Sequence, residues 1–161
     1  MIKVGINGFG RIGRNVLRVI YESGYRDMIQ VVAINDLADH ETCAHLLEFD
    51  SVHGHFNTPV KLNGDLLIVG TDAITLTQHA DPLELPWDVA DVDLVMECTG
   101  RFASKEKAQA HIAAGAKKVL VSAPCKRADT TVVYGVNEHT IEPSHHYFQR
   151  FLYNQLSSPG C

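Results

Sequence analysis

Ile2-Lys3-Val4-Gly5-Ile6-Asn7-Gly8-Phe9-Gly10-Arg11-Ile12-Gly13 decides the architecture of this chain. The first half is a short apolar stretch that reads as a buried strand, and the second half is G-x-G-x-x-G. Between a strand and a helix, that spacing is a dinucleotide-binding fingerprint. The first glycine permits a tight turn, the second lets the main chain approach a pyrophosphate, and the third lets the helix pack close to the strand. The pyrophosphate then rests on the unpaired N–H groups and positive dipole end of the helix that follows.

Beyond the loop, Ile12, Val16, Val19 and Ile20 recur at helical intervals, with Arg14, Arg18 and Glu22 on other faces. Gly24 is placed to end that helix. Ile29-Gln30-Val31-Val32-Ala33-Ile34 reads as a second strand, with Asn35-Asp36 at its carboxyl end. This completes a β-α-β unit with a carboxylate where an adenosine ribose would lie. Such a carboxylate accepts hydrogen bonds from both ribose hydroxyls and repels a 2′-phosphate, so Asp36 points to NAD rather than NADP. The alternative reading makes Asp36 a cap or loop carboxylate.

At 161 residues, 45% hydrophobic and 20% charged, the chain has the size and composition of one globular domain with a real core. A net charge of −5 argues against nucleic acid as the main partner. No apolar run approaches the roughly 20 residues of a membrane helix, so no membrane role is expected. With no signal-peptide pattern and no C-x-x-C among Cys43, Cys98, Cys125 and Cys161, reduced thiols in the cytoplasm are the expectation.

The rest of the chain alternates. Asp39 is placed to cap a helix reaching about Phe49, with Cys43, Leu46 and Leu47 on its apolar side. Val60-Lys61-Leu62 and Leu66-Leu67-Ile68-Val69 flank Asn63-Gly64, a hairpin signal, and Ile74-Thr75-Leu76 is another short strand. Asp93 to Cys98 reads as a buried strand running into Thr99-Gly100, and Ser104 is placed to cap a helix over Lys105 to Ala114, stopped by Gly115. Val119 to Ser122 and Thr131 to Tyr134 are the last clear strands. The expected fold is α/β, a Rossmann-type doubly wound, mostly parallel sheet with a small antiparallel insertion. Ligands of such sheets lie beyond the carboxyl ends of the strands, which selects Gly8, Phe9, Gly10, Arg11 and Ile12, then Asn35 and Asp36, then Thr99, Gly100 and Ser122.

Several longer stretches add a resemblance. Ile6 to Arg14, Ala33 to Leu37, Phe49 to Gly54, Leu85-Pro86-Trp87, Glu97 to Gly100, Ala113 to Val119, Ser122-Ala123-Pro124 and Val133 to Asn137 together resemble the NAD-binding domain of the glyceraldehyde-3-phosphate dehydrogenase family. The related erythrose-4-phosphate dehydrogenases share most of these words. The resemblance implies that Arg11 and Ile12 hold the pyrophosphate through their main chain, that Asp36 holds the adenosine ribose, and that Thr99, Gly100 and Ser122 flank the nicotinamide side. Members often carry Arg-Asp-Pro where this chain has Ala80-Asp81-Pro82, so an arginine contact on the adenine side is missing.

After Ser144-His145 the resemblance stops. The family continues I-S-N-A-S-C-T-T-N-C-L-A-P, which carries the nucleophilic cysteine at the start of a helix. This chain runs His146-Tyr147-Phe148-Gln149-Arg150-Phe151-Leu152-Tyr153-Asn154-Gln155-Leu156-Ser157-Ser158-Pro159-Gly160-Cys161. Back-translated and read from the second base of the His146 codon, with suitable synonymous codons, it gives I-I-S-N-A-S-C-T-T-N-C-L-A-P-V. The expectation is an NAD-binding domain over residues 1–146, an out-of-frame tail over 147–161, and no catalytic domain. Tyr147, Phe148, Phe151, Leu152 and Tyr153 would then be exposed or held loosely on the sheet.

The resemblance implies chemistry in which a thiolate attacks an aldehyde, hydride passes to NAD, and phosphate cleaves the resulting thioester. A histidine of the second domain would serve as acid–base. The complete enzyme is expected to take a sugar-phosphate aldehyde and to form a homotetramer. No residue of this chain is assigned as catalytic. Cys43 and Cys98 read as small core residues, and Cys125 beside Lys126-Arg127 is a poor substitute nucleophile. The histidines, densest at His53-Gly54-His55 and His145-His146, lack metal-ligand spacing and read as surface or loop residues, so no metal is expected. Three readings stay open: the cofactor half of a dehydrogenase, a dinucleotide-binding fragment without catalysis, and an interaction protein that kept only the fold.

Overall fold

A computed structural model describes residues 1–123, 128–133, 136–142 and 144–150. The opening stretch forms β1 (Ile2–Asn7), α1 (Arg11–Glu22) and β2 (Ile29–Asn35), with β1 and β2 parallel and Asn7 level with Asn35. Then come α2 (His40–Glu48), a two-strand ribbon of β3 (Phe49–Asp50) and β4 (Gly54–His55), and the hairpin β5 (Val60–Asn63) and β6 (Leu66–Val69). Next follow β7 (Asp72–Thr77), β8 (Leu94–Glu97), α3 (Lys105–Ala113), β9 (Lys118–Val121), β10 (Thr130–Val132) and β11 (Tyr147–Arg150).

Among the described residues the main sheet runs β10-β11-β9-β8-β1-β2-β7-β6-β5. Every neighbouring pair from β10 to β7 is parallel, and β6 and β5 add an antiparallel hairpin at the edge. This is the doubly wound, mostly parallel sheet expected, and the antiparallel piece is an extension of that sheet. Chain order reverses between β1, whose next strand lies on one side, and β8 on the other. Asn7, Asn35 and Glu97 stand together at the carboxyl ends flanking that point. Ligand crevices of open α/β sheets form at such a switch.

Both faces of the sheet are covered. Val4, Ile6, Leu17, Ile34, Leu47 and Phe56 pack with α1 and α2 on one side. Ala33, Trp87, Val95, Ala108, Val119 and Val121 pack with α3 on the other. The caps are as expected: Asp39 Oδ1 accepts from Thr42 N at 2.7 Å, and Ser104 Oγ accepts from Lys107 N at 3.3 Å.

The face of α1 differs from the expectation. Gly13, Leu17, Arg18 and Ile20 are buried, whereas Ile12 and Val19 are about half exposed. Arg18 turns inward because the last carbonyls of α2 need donors. Its guanidinium donates to Leu47 O at 2.7 Å and Gly54 O at 2.9 Å and lies over the Phe56 ring. A helical count of apolar positions does not see that demand from a second helix.

The domain boundary drawn after residue 146 falls immediately before a strand. The main chain of β11 pairs with β9 on one side and β10 on the other, Tyr147 opposite Val119 and Phe148 opposite Thr130. Ladder formation asks only for main-chain donors and acceptors and β-tolerant residues, so a stretch can pair whatever its origin. Cys125, Lys126-Arg127, Tyr134 and the tail from Phe151 to Cys161 lie outside the described residues.

Candidate functional site

The strand-to-helix loop is built by its glycines in three ways. Gly8 has φ +91, open to glycine and strained for other residues, and a Cβ there would lie 2.7 Å from Thr99 N. A Cβ on Gly13 would lie 2.2 Å from Gly8 O, so the close seating of α1 on the turn needs that glycine. Gly10 is different: its φ of −69 suits any residue, and among the described residues nothing lies within 4 Å of its would-be Cβ. The chain itself has no use for a glycine at 10. The open space faces the cleft at the start of α1, where no side chain caps the helix and its first turn carries no carboxylate. Free N–H groups, positive dipole and a clear approach together fit a phosphate.

A cleft of about 250 Å³ opens at this point. Gly8, Gly10 and Asn7 form one wall, Asn35 to Leu37 a second, His79, Ala80 and Pro82 a third, and Cys98, Thr99, Arg101 and Phe102 the fourth. Asp36 is held in place: one carboxylate oxygen accepts from Phe9 N at 2.5 Å and the other from Ala38 N at 2.9 Å. Each oxygen keeps a lone pair, so the carboxylate can still receive two hydroxyls. This tie makes Phe9 useful through its main chain, while its ring is buried in the core.

Asn35 is used differently. Its amide donates to Asn7 Oδ1 at 2.8 Å and His79 O at 3.0 Å, and its oxygen accepts from Thr77 Oγ1 and His79 N, both at 2.9 Å. All its side-chain positions are therefore taken in fastening the ends of β1, β2 and β7 beneath the cleft. On the far wall, Thr99 is pinned by Glu97: Thr99 N donates to Oε1 at 2.8 Å, and Thr99 Oγ1 donates to the same oxygen. Gly100 (φ +72) turns the chain beyond it, and Ser122 ends β9, its N–H donating to Glu97 O at 3.0 Å. Arg11, Ile12, Gly100 and Ser122 are not among the residues that line the cleft.

Sequence reasoning missed Asn7, which ends β1, and Leu37, His79, Pro82, Arg101 and Phe102, which arrive from loops whose path no periodicity reports. Cys98, read as a core residue, is half-buried in the cleft wall, and burial pushes its thiol up to about 11. Burial does the same to Cys43, also to about 11. Thiols held there are poor nucleophiles at neutral pH. The surface reading of the histidines fails for His111, which is fully buried in α3. Among the described residues no three His, Cys, Asp or Glu side chains gather as metal ligands, and no helix is long and apolar enough to cross a membrane.

This geometry agrees with comparison to known proteins. Residues 2–105 match the family described as glyceraldehyde 3-phosphate dehydrogenase, NAD binding domain. The chain belongs to the glyceraldehyde-3-phosphate dehydrogenase family. NAD is the dinucleotide of this domain, and the residues present fit it. Proteins named glyceraldehyde-3-phosphate dehydrogenase are similar over most of the chain. The one from Pseudomonas aeruginosa is 54% identical over 160 residues, covering 99% of this chain and 47% of its own length. That of Cereibacter sphaeroides is 61% identical, covering 87% of this chain and 41% of its own, and that of Xanthobacter flavus 59%, covering 89% and 43%. The chain thus spans less than half the length of these curated relatives.

Proposed function

We propose that residues 1–146 are the cofactor-binding half of a phosphorylating, NAD-dependent aldehyde dehydrogenase. NAD lies along the cleft, its pyrophosphate crossing Gly10 and the main chain of Arg11 and Ile12, its adenosine ribose on Asp36, and its nicotinamide end toward Thr99, Gly100 and Ser122. The observation that carries this reading is Gly10, a glycine with ordinary φ and empty space around its missing Cβ, at the uncapped start of a helix. Bound there, NAD supplies the hydride acceptor for oxidation at an aldehyde carbon. The chain's own residues bind and orient it: α1 faces the phosphates, Asp36 fixes the ribose, and Glu97 fixes Thr99. With Ala80 in place of an arginine, the adenine side relies on Leu37, His79 and Pro82.

The nucleophile is not among the residues described. Cys43 is buried and Cys98 half-buried, and burial pushes both thiols up to about 11, which makes them poor nucleophiles at neutral pH. We place the missing cysteine in the shifted frame of the tail, which reads I-S-N-A-S-C-T-T-N-C. On this reading the 161-residue chain binds NAD without turning over substrate. The restored gene product oxidises a sugar-phosphate aldehyde, glyceraldehyde 3-phosphate or erythrose 4-phosphate, as a homotetramer in the cytoplasm. The test is to sequence the gene through the codons of His145 and His146, then express the chain with and without one added nucleotide. NADH formation from either aldehyde with phosphate should appear only in the restored product. Turnover by the unrestored chain, or none from the restored one, would refute the reading.

A further inference from the structure

Behind the cleft, Glu97, His111 and Trp87 form one connected buried polar set. Glu97, fully buried at the end of β8, receives four hydrogen bonds. Asn7 Nδ2 donates to Oε2 at 2.6 Å, His111 Nε2 meets the same oxygen at 2.9 Å, and Thr99 donates twice to Oε1. Behind His111 stands Trp87, whose indole Nε1 donates to His111 Nδ1 at 3.1 Å. An indole N–H can only donate, so Nδ1 must accept and the ring proton must sit on Nε2, directed at Glu97. The polarity of the chain is thereby fixed from Trp87 through His111 to the carboxylate.

Two of the carboxylate's partners, Asn7 and Thr99, are cleft walls, and the third belongs to α3 on the covered face of the sheet. The connection continues into the phosphate loop, because Gly8 packs so tightly on Thr99 that a Cβ would lie 2.7 Å from its N. A change in the seat of Thr99 must therefore move the loop. A purely structural core at this place would be served as well by apolar side chains, since buried charges are costly unless fully hydrogen-bonded. Here the charge holds together the pieces that shape one wall of the cleft.

We propose that His111 is a positioning residue for the NAD cleft: held in one tautomer by Trp87, it fixes Glu97, and through Glu97 it seats Thr99, Asn7 and the Gly8 turn. It acts on the cofactor only through these residues. The proposal rests on the cleft being the NAD site, and its test includes a measurement that needs no NAD.

The experiment uses the full 161-residue chain and the variants His111→Leu and His111→Gln. A glutamine amide can donate to Glu97 and accept from Trp87, whereas leucine can do neither. By calorimetric titration, His111→Leu should bind NAD about tenfold more weakly, and His111→Gln should stay within about threefold of the unmodified chain. In the ligand-free chain, exchange of the Thr99 amide should quicken about tenfold in His111→Leu and return in His111→Gln, while Leu67 in the distant β6 keeps its protection. The indole N–H resonance of Trp87, the one tryptophan of the chain, should shift on adding NAD and lose that response in His111→Leu. If His111→Leu does not fold, Trp87→Phe, which removes the donor together with one ring of the indole, takes its place and should weaken NAD at least about threefold. Unchanged Thr99 exchange in a folded His111→Leu, or equal losses in the leucine and glutamine variants, overturns the proposal. So does a Trp87→Phe chain that binds like the original. Failure of the unmodified chain to bind NAD, with the Thr99 pattern intact, would instead count against the site reading alone.

Discussion

Gly10 and Gly13 look alike in the motif, and the structure separates them. An alanine at 13 would place its methyl 2.2 Å from Gly8 O, against 3.4 Å or more for ordinary contact. The helix must move off the turn, at the roughly 1–3 kcal/mol of an overpacked site or more, offset by about 1 kcal/mol of helix propensity. A net loss of about 2 kcal/mol corresponds to roughly 4–8 °C in melting temperature for a chain of this size. An alanine at 10 meets nothing within 4 Å and needs no unusual φ. Its cost is the poorer N-cap, below about 1 kcal/mol. Ligand binding should rank them the other way per unit of stability. The methyl of Gly10→Ala enters the space the pyrophosphate must use, and a displacement costing about 2 kcal/mol weakens NAD about 30-fold. The assay pairs thermal melts with calorimetric NAD titration for both variants. A Gly10→Ala chain that melts normally and binds NAD normally would show that no phosphate crosses that position.

Three further outcomes follow from the same geometry. Replacing Asp36 with alanine should weaken NAD and reduce the NAD-to-NADP affinity ratio at least about tenfold, since the ribose acceptor and the repulsion of a 2′-phosphate go together; an unchanged ratio in competition titrations argues against Asp36 as the ribose ligand. Acid should destabilise the fold through two carboxylates. Burial would raise Glu97, but hydrogen bonds from His111, Thr99 and Asn7 outweigh it, and Asp72 is lowered mainly by its Arg26 partner, so both sit below the usual range. A lowered folded-state value gives stability that is present above the unfolded value near pH 4 and lost as pH falls through the folded one, so melting temperature should hold from about pH 7 to 5 and drop below about 4; a flat profile down to pH 3.5 refutes it. Finally, Cys43 and Cys98, with thiols pushed up to about 11, should alkylate far more slowly than a free thiol at pH 8 by peptide-mapped mass spectrometry; fast labelling of Cys98 would mean that the cleft wall opens.

The parts of this molecule legible in its sequence are those governed by near neighbours. The strand, turn and helix around Gly8 to Gly13, the Asp39 and Ser104 caps and the Asn63-Gly64 hairpin each depend on residues a few places apart, and each stands where the spacing put it. The position of Asp36 just beyond β2 was legible because the end of that strand is fixed by β1 beside it. The inward turn of Arg18, the cleft loops at His79 and Arg101, and the burial of His111 answer to partners far along the chain. Nothing in the helix over Lys105–Ala113 distinguishes His111 from a surface histidine until β8 supplies Glu97 and the segment before it supplies Trp87.

That contrast bears on how the cleft is held. The phosphate loop is stabilised locally, but its seat on Thr99 depends on a carboxylate whose fourth hydrogen bond comes from the opposite layer of the sheet. Glu97 has four donors because a buried carboxylate with fewer would be better replaced, and one of the four is supplied by α3. On the proposed function, the fingerprint in the first residues specifies where a pyrophosphate goes. How firmly that place is kept depends on Trp87 and His111, far downstream and outside any dinucleotide motif. A chain carrying the glycines and Asp36 while lacking the His111 contact should keep the fold's outline and lose grip on the cofactor. The His111→Leu and His111→Gln pair is built to separate those two losses.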